Sequence, residues 1–335
     1  MNMRDKVTMQ QIADLAGVSK FAVSRSISGK SGVSEETREM ILKAAGQLGY
    51  FKNEAKSYSN DLKDYNEQRL SGTILVLFPN VRFQNRDSMY WGPVFDGISK
   101  QLNQKGMDIL TLTEPSSDSM FSLLNPDAIR GIITVGAIST SILLEIHRLK
   151  IPMVMVDHQD ETFQCDAVFT DNYNAMKQLT TKLVSKGYKR FQFVGHIRYS
   201  QSFFERWLAF RETMEQLSIE YSQVSRLISP AAVEEVHLVM EELTDEQIPE
   251  VFVCANDTNA VYVIEALQKR GNNVPGDCVV TGFDNTHPSA PILATVDVNK
   301  EVLGMRAVDQ VVWRILNQES NIEKKLIGAR LIIRE

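Results

Sequence analysis

Residues 8 to 27 constrain the fold of this chain more than any other segment, because they form the pattern of two short helices around a tight turn. Thr8 and Gln11 have the spacing of a capping box, in which each side chain satisfies a backbone N–H of the first helical turn. Gly17 supplies the positive φ that a sharp turn requires, and Ser19 is placed to cap the second helix. The segment therefore predicts a helix-turn-helix.

A third helix after Ser34 completes the predicted unit. The side chains that recur at helical spacing and are expected to face one core are Ile12, Ala13, Ala16, Ala22, Val23, Ile27, Met40, Ile41, Ala44, Ala45 and Leu48. The outward face of the second helix then carries Lys20, Phe21, Ser24 and Arg25. The end of such a helix can enter the major groove of DNA. The simpler alternative is a helical hairpin whose outer face is only solvated.

This run resembles the DNA-binding headpiece of the lactose-repressor and galactose-repressor (LacI/GalR) family of bacterial transcription regulators. The matching residues are Thr8, Ile12, Ala13, Ala16, Gly17, Val18, Ser19, Val23, Ser24, Arg25, Gly29, Val33, Ser34, Thr37, Arg38, Ala44, Leu48, Gly49, Tyr50 and Asn53. The resemblance implies that Lys20, Phe21 and Arg25 read bases, which suits their chemistry: Arg and Lys donate to guanine, and Phe packs on a thymine methyl. Further DNA contacts are expected from Thr8, Ser19, Ser24, Asn53 and Tyr58.

Length and charge divide the chain into a small basic part and a large acidic part. The 335 residues have a net charge of −6, yet residues 1–60 carry nine Lys and Arg against six Asp and Glu. The first part is therefore about +3 and the remainder about −9, which places the attraction for DNA phosphates in the headpiece. We predict a headpiece at 1–57, a linker at 58–72 and a body at 73–335.

The body alternates apolar runs of strand length with amphipathic helical segments, which predicts a parallel α/β fold. The predicted strands are 73–79, 107–113, 129–137, 152–157, 166–172, 190–196, 250–257, 277–285 and 294–298. The predicted helices are 91–105, 139–149, 172–186, 201–217, 233–243, 258–270 and 300–317. We interpret this as two lobes with chain crossings, the first at about 73–168 and 297–322 and the second at about 169–296 and 323–335.

This order resembles the effector-binding body of the same family, which is similar to periplasmic sugar-binding proteins. The resemblance implies a polar clamp of Asp157, Arg206, Asn256 and Asp284 with an aromatic wall of Tyr90 and Trp91. Ligands of open α/β lobes bind beyond the carboxyl ends of the strands. Carboxylates, an amide and a guanidinium beside aromatic rings suit a neutral polyhydroxy ligand, most simply a sugar, although a purine remains an alternative.

Structural roles are the alternatives for these polar residues. Asp and Asn after a strand often only cap the next helix. This alternative applies to Asp157, Asn256 and Asp284, and to Asp257, which heads a helix. For Arg206 the alternative is a surface salt bridge.

The linker departs from the family pattern. Lys52 replaces a Pro of the family, Ser59 stands where an apolar Leu would enter the minor groove, and the connection is longer and highly charged. Tyr58 or Leu62 is an alternative wedge for the minor groove. A flexible linker that forms no hinge helix is the other interpretation.

We therefore predict a transcription regulator, most simply a repressor, that binds an inverted-repeat operator as a homodimer and responds to a small effector. The alternative is a solute-binding or enzymatic α/β protein without a DNA role. Since the scattered histidines and the absent nucleophile and metal motifs give no catalytic set, we expect no enzyme activity, no metal and no cofactor. No apolar run suggests a signal peptide or a membrane span, so we expect a cytoplasmic protein without a membrane partner.

Overall fold

The computed structural model describes residues 8–27, 32–48, 72–79, 88–113, 125–219, 223–230 and 235–334. The chain forms two compact units, Met1–Ser71 and Gly72–Glu335, each with its own core. Within the described ranges, no helix is both long and apolar enough to cross a membrane.

The first unit contains helices α1 (Met9–Ala16), α2 (Lys20–Ile27) and α3 (Glu35–Leu48). The predicted capping box at the start of α1 is confirmed, since the Thr8 side chain accepts from the Gln11 N–H and the Gln11 side chain accepts from the Thr8 N–H. Gly17 ends α1 with φ 66°, and the Ser19 and Ser34 hydroxyls accept from the first turns of α2 and α3. Local sequence thus determines where each helix begins.

The three helices share one small core, as predicted. Its buried members are Ile12, Ala13, Ala16, Val23, Ile41, Ala44 and Ala45. Met40 was expected to join them and is instead 47 % exposed. The stripe at Ile41, Ala44 and Ala45 already faces the other helices, and one residue along a helix is a rotation of about 100°, so Met40 points away from it.

The second unit alternates strands and helices. Its first part contains β1 (Thr73–Phe78), α4 (Trp91–Gln104), β2 (Asp108–Thr113), β3 (Ile129–Val135), α5 (Thr140–Arg148), β4 (Met153–Val156) and β5 (Asp166–Thr170). There follow α6 (Asn172–Ser185), β6 (Phe191–Val194), α7 (Gln201–Gln216), α8 (Ser225–Ile228), α9 (Glu235–Glu242), β7 (Val251–Cys254) and α10 (Asp257–Lys269). The last elements are β8 (Val279–Thr281), β9 (Ala294–Asp297), α11 (Lys300–Leu316), β10 (Lys324–Ile327) and β11 (Arg330–Ile333).

These strands form two sheets, and each sheet is the centre of one lobe. The first has the order β10-β5-β4-β3-β1-β2, and the second has the order β11-β9-β8-β7-β6. The paired strands are parallel except for β11 and β9. The chain passes to the second sheet after β5, returns after β9 and passes again after β10.

Strand β10 corrects one predicted boundary. Residues 324–327 were expected in the second lobe, but they pair with β5 at the edge of the first sheet. Their side chains alternate between exposed and half-buried, so no apolar run marks this strand in the sequence. Backbone pairing with β5 determines its place instead.

Helices α4 and α11 pack unusually closely on the first sheet. A Cβ at Gly97 would lie 2.1 Å from the Glu301 carbonyl oxygen, and one at Gly304 would lie 2.0 Å from that of Val94. Two glycines therefore permit backbone contact between these helices. This contact fixes α11, which leads directly from the second sheet back to the first.

Candidate functional site

Polar side chains follow three strands that belong to the two lobes. Asp157 comes directly after β4, Asn256 lies two residues after β7, and Asp284 lies three residues after β8. Asp157, Asp284 and Asn285 have positive φ values of 55°, 88° and 50°. Asp and Asn tolerate this left-handed region better than other non-glycine residues. The backbone therefore turns sharply just after β4 and β8, at the residues of the predicted clamp.

Arg206 is the centre of the cluster and is only 2 % exposed, so the surface salt bridge considered for it is excluded. Its Nη2 donates to Asp284 Oδ1 at 3.0 Å and its Nη1 donates to the Ala255 carbonyl at 2.8 Å. Its guanidinium carbon lies 3.7 Å from the centroid of the Phe283 ring. The guanidinium thus joins α7 to the ends of β7 and β8, with a cation–π contact on one face.

Asp157 receives hydrogen bonds from both lobes. The Ser202 hydroxyl, in the first turn of α7, donates to Asp157 Oδ1. The Tyr90 hydroxyl, just before α4, lies 3.5 Å from Asp157 Oδ2. Tyr90 also packs against the core of the second lobe. The predicted residues Tyr90, Asp157, Arg206 and Asp284 are therefore brought together between the lobes.

The electrostatics of this cluster favour protonated groups. Burial raises the pKa of Asp157 to about 6, while the Ser202 hydroxyl and the charge of Arg206 act in the opposite direction. Burial and the nearby carboxylates of Asp157 and Asp284 hold the Tyr90 pKa well above its ordinary value. A ligand that supplies hydrogen-bond donors to Asp157 would favour its charged form.

Trp91 supports Tyr90 and exposes little of its own ring. Its side chain is 8 % exposed, and its ring meets that of Tyr90 edge to face with centroids 4.7 Å apart. The backbone N–H groups of both residues donate to the Ser88 hydroxyl. The structure thus presents Tyr90 as the aromatic face of the cluster, with Trp91 packed behind it.

Asn256 and Asp257 have different structural roles. The Asn256 side chain caps α10 by accepting from the Asn259 N–H at 2.9 Å, and it is only partly buried. Asp257 is fully buried, and it accepts from the Thr286 N–H and the Thr295 hydroxyl. Capping was the alternative weighed for Asp257, but this carboxylate anchors the loop after β8 instead. Among the described contacts, it is the Ala255 carbonyl, rather than the Asn256 side chain, that meets Arg206.

Sequence reasoning missed Ser202, Asn172 and Phe283 as members of the cluster. Ser202 precedes Arg206 by four residues on one helix face, so its position was readable from the sequence. Asn172 and Phe283 gave no comparable signal, because their contacts with Arg206 depend on the folding of distant segments.

Three of the four side chains of the predicted reading face are exposed in the headpiece. Lys20, Phe21 and Ser24 are exposed, with Phe21 at 68 %, and Arg25 is partly buried. The Arg25 guanidinium lies 5.4 Å from the centre of the Phe21 ring, one helical turn away. Thr8 and Ser19 use their hydroxyls in helix caps and remain exposed. Asn53, Tyr58 and the linker alternatives fall outside the described residues.

No group of three or more His, Cys, Asp or Glu side chains within the described ranges is arranged to hold a metal ion.

Two family models match separate parts of this chain. The model for bacterial regulatory proteins of the lacI family matches residues 8–53, and the model for a periplasmic binding protein-like domain matches residues 180–335. The chain belongs to the lacI family. As a member of this family it is a helix-turn-helix transcriptional regulator with an effector-binding domain.

Relatives of this lacI-family member align over nearly the whole chain. The HTH-type transcriptional regulator CelR of Thermobifida fusca is 24 % identical and covers 100 % of this chain and 99 % of its own. The HTH-type transcriptional repressor PurR of Actinobacillus pleuropneumoniae serotype 3 is 25 % identical, with 96 % and 94 % covered. Both are transcription regulators, in agreement with the sequence prediction.

Solved structures share the fold of this lacI-family regulator. A CelR–cellobiose complex has a TM-score of 0.67 at 21 % identity and covers 98 % of this chain and 99 % of its own. A lac repressor dimer bound to operator has a TM-score of 0.61 at 20 % identity, with 98 % of both chains covered. The predicted combination of a helix-turn-helix headpiece and a two-lobed α/β body is confirmed.

Proposed function

We propose that this regulator is a repressor whose operator affinity is controlled by a neutral sugar bound between the two lobes. The observation that carries the proposal is the cluster of Tyr90, Asp157, Arg206 and Asp284. Arg206 and Asp284 of the second lobe are buried there, and Asp157 of the first lobe is half-buried beside them. A buried charge lowers the stability of the folded protein unless a partner of opposite charge or a ligand compensates it. Carboxyl groups with perturbed pKa values are also concentrated at functional sites.

The chemistry of the cluster favours a polyhydroxy ligand. Carboxylate oxygens accept from sugar hydroxyls, remaining guanidinium N–H groups donate to them, and the Tyr90 ring offers an apolar face for sugar C–H groups. Asp157 and Asp284 oppose the single charge of Arg206, which disfavours a phosphorylated ligand. CelR was solved with cellobiose and a LacI-family regulator from Enterococcus faecium was solved with ribose, so sugars are the first effectors to test.

The headpiece supports a specific mode of DNA recognition. In our proposal Lys20, Phe21 and Arg25 read base edges, while Thr8, Ser19, Ser24 and Asn53 position the helix on phosphates and Tyr58 contacts the DNA next to it. One headpiece offers few base contacts, so usable specificity requires two headpieces on an inverted-repeat operator and hence a homodimer. The protein would act in the cytoplasm, where its DNA lies.

The test combines binding-site selection with effector titration. We expect the full chain to select an inverted repeat from random DNA, and to change its affinity for that site at least tenfold with cellobiose, ribose or another sugar of a defined panel. Fluorescence anisotropy of the labelled site at fixed salt measures the affinity. Retention of DNA without sequence preference would contradict the regulatory role. A response to hypoxanthine or guanine and to no sugar would contradict the ligand class.

A thermal-shift series with the same panel identifies ligands independently of DNA. A ligand that binds only the folded protein raises its melting temperature in proportion to the logarithm of concentration above Kd. Light scattering gives the assembly state, and a monomer with full operator affinity would contradict the homodimer.

A further inference from the structure

Asn172 lies beneath the proposed effector site and is completely buried at the first position of α6. Its Oδ1 accepts from Arg206 Nε at 2.9 Å. Its Nδ2 lies 3.1 Å from the Thr170 carbonyl oxygen and 3.1 Å from the Ser202 hydroxyl. One amide therefore contacts the two α7 side chains that bind Asp284 and Asp157.

Donor and acceptor requirements fix the orientation of this amide. Arg206 Nε can only donate, so the atom that faces it must be the amide oxygen. The amide nitrogen then faces the Thr170 carbonyl, which can only accept. Both partners thus select the same orientation of Asn172, and this orientation is a consequence of the surrounding fold rather than a free choice.

The same constraint extends to the proton of Ser202. A serine hydroxyl has a single hydrogen to donate, and its oxygen accepts from the Asn172 amide N–H. The hydroxyl hydrogen is thereby directed to Asp157 Oδ1. Asn172 thus orients the donor that stabilises the Asp157 carboxylate, although it does not touch Asp157 itself.

A further contact connects this arrangement to strand β10 of the first sheet. The Asn172 amide lies 3.4 Å from Glu205 Oε2, and Glu205 Oε1 pairs with Lys324 Nζ at 3.1 Å. Lys324 belongs to β10 in the first sheet, and Glu205 belongs to α7 in the second lobe. The network around Asn172 therefore reaches across the lobes beside the place where the chain crosses between them.

We propose that Asn172 is a positioning residue of the effector site, which holds the Arg206 guanidinium and directs the Ser202 hydroxyl toward Asp157. The effector part of this inference rests on the proposed function. The positioning part concerns the ligand-free protein and can be tested without any effector.

The ligand-free test is a double-mutant cycle between Asn172→Ala and Asp157→Asn, measured by urea unfolding of the full chain at neutral pH. Residues without a shared partner act additively. Asn172→Ala raises the unfolding equilibrium constant by some factor in each background. If Asn172 acts on Asp157 through Ser202, this factor should be about five times smaller in the Asp157→Asn background than in the natural sequence. Equal changes in both backgrounds would overturn the proposal.

Asn174→Ala is the matched control. Asn174 is an exposed asparagine in the same turn of α6, and its amide donates to Asp171 rather than to the cluster. Its effect should be the same in both backgrounds. If Asn172→Ala does not fold, Asn172→Asp replaces it in the cycle, because the carboxylate keeps an acceptor for Arg206 and removes the donor to Ser202.

The effector test uses calorimetric titration with cellobiose and with ribose. For a sugar that the natural protein binds, Asn172→Ala should weaken affinity about tenfold or more, the size expected for one lost charge-assisted hydrogen bond, while Asn174→Ala should leave it unchanged. Unchanged affinity in Asn172→Ala would overturn the positioning role at the site. If the natural protein binds no sugar, the proposed function fails, and the unfolding cycle still decides the inference.

Discussion

The Ser202 hydroxyl donates a hydrogen bond to the Asp157 carboxylate, and this contact joins the second lobe to the first. Asp157 stands at the end of β4 and Ser202 in the first turn of α7, so the two lobes meet through side chains of the proposed site. Such contacts give the protein a defined arrangement before any effector binds. An effector can shift the equilibrium between arrangements of the two lobes only if it binds one arrangement more tightly than the other.

Replacing Asp157 should stabilise the ligand-free protein at neutral pH. Burial raises the pKa of Asp157 from 3.8 to about 6, so the folded protein binds this proton more tightly than the unfolded chain. Stability is therefore lost as pH rises from about 4 to 7, and Asp157→Asn removes that loss, with a gain of up to about 3 kcal/mol. Urea unfolding at pH 4 and pH 7.5 measures the difference in the free energy of unfolding between Asp157→Asn and the natural protein. This difference should be small at pH 4. A gain of equal size at both pH values would contradict the assignment.

Replacing Arg206 should cost both stability and effector affinity. Arg206→Ala leaves Asp284 buried without its counter-charge, which costs about 3–5 kcal/mol in comparable buried pairs. Effector affinity should fall by about one to two decades in Arg206→Ala and in Asp284→Ala, since each loses a charged hydrogen bond worth about 1.5–3 kcal/mol. Selected operator DNA should still bind, because the headpiece has its own core.

Arg211→Ala is the control for Arg206. Arg211 lies on the same helix in an exposed pair with Glu215, and such pairs contribute about 0.3–0.5 kcal/mol. Calorimetry with the effector and urea unfolding should both show little change. Unaltered effector affinity in Arg206→Ala and Asp284→Ala would contradict the location of the site.

Replacing Lys20 and Phe21 together should change the preferred operator sequence. Each good base contact discriminates by about 1–3 kcal/mol, so its removal relaxes one position of the site. Gln10→Ala is the control, since Gln10 is exposed on α1 and lies outside the predicted reading face, so the preferred sequence should stay the same. Binding-site selection with the three proteins measures this, and an identical preferred sequence for the double variant would refute base reading by these residues.

A second buried ion pair should make the body sensitive to acid. Arg314 donates from Nε and Nη2 to the two carboxylate oxygens of Asp166, which is fully buried at the start of β5. Burial opposes ionisation of Asp166, but Arg314, the Glu323 N–H and Gln310 together lower its pKa below the ordinary value. The stability that this pair provides is present above the ordinary pKa and is lost as pH falls through the folded value.

Arg314→Met should therefore destabilise the body by about 3–5 kcal/mol at neutral pH and reduce the dependence of its stability on pH below about 4. Arg330→Met removes an exposed pair with Asp297 and should cost less than about 1 kcal/mol. Urea unfolding across the acid range distinguishes them. An Arg314→Met protein that keeps the natural pH dependence would show that Asp166 does not determine it.

Local signals in the sequence determined the helix starts, the headpiece core and the order of the strands. The capping residues Thr8, Ser19 and Ser34 act on backbone N–H groups within three residues, so their roles are visible in the sequence. Periodic apolar runs predicted β1 to β9 and the long helices of the body for the same reason. The resemblance to the family added Tyr90, Asp157, Arg206 and Asp284, which the structure brings together.

Only the tertiary structure decided which partner each polar side chain has. Asn172 meets Arg206 across 34 residues, and Arg206 meets Asp284 across 78. The edge strand β10 and the exposed position of Met40 likewise depend on what packs beside them. A capping signal or an apolar period is a local property of the chain and can be read from neighbouring residues. Burial and hydrogen bonds between distant segments depend on which surfaces pack together, and the linear order of the residues does not specify that packing.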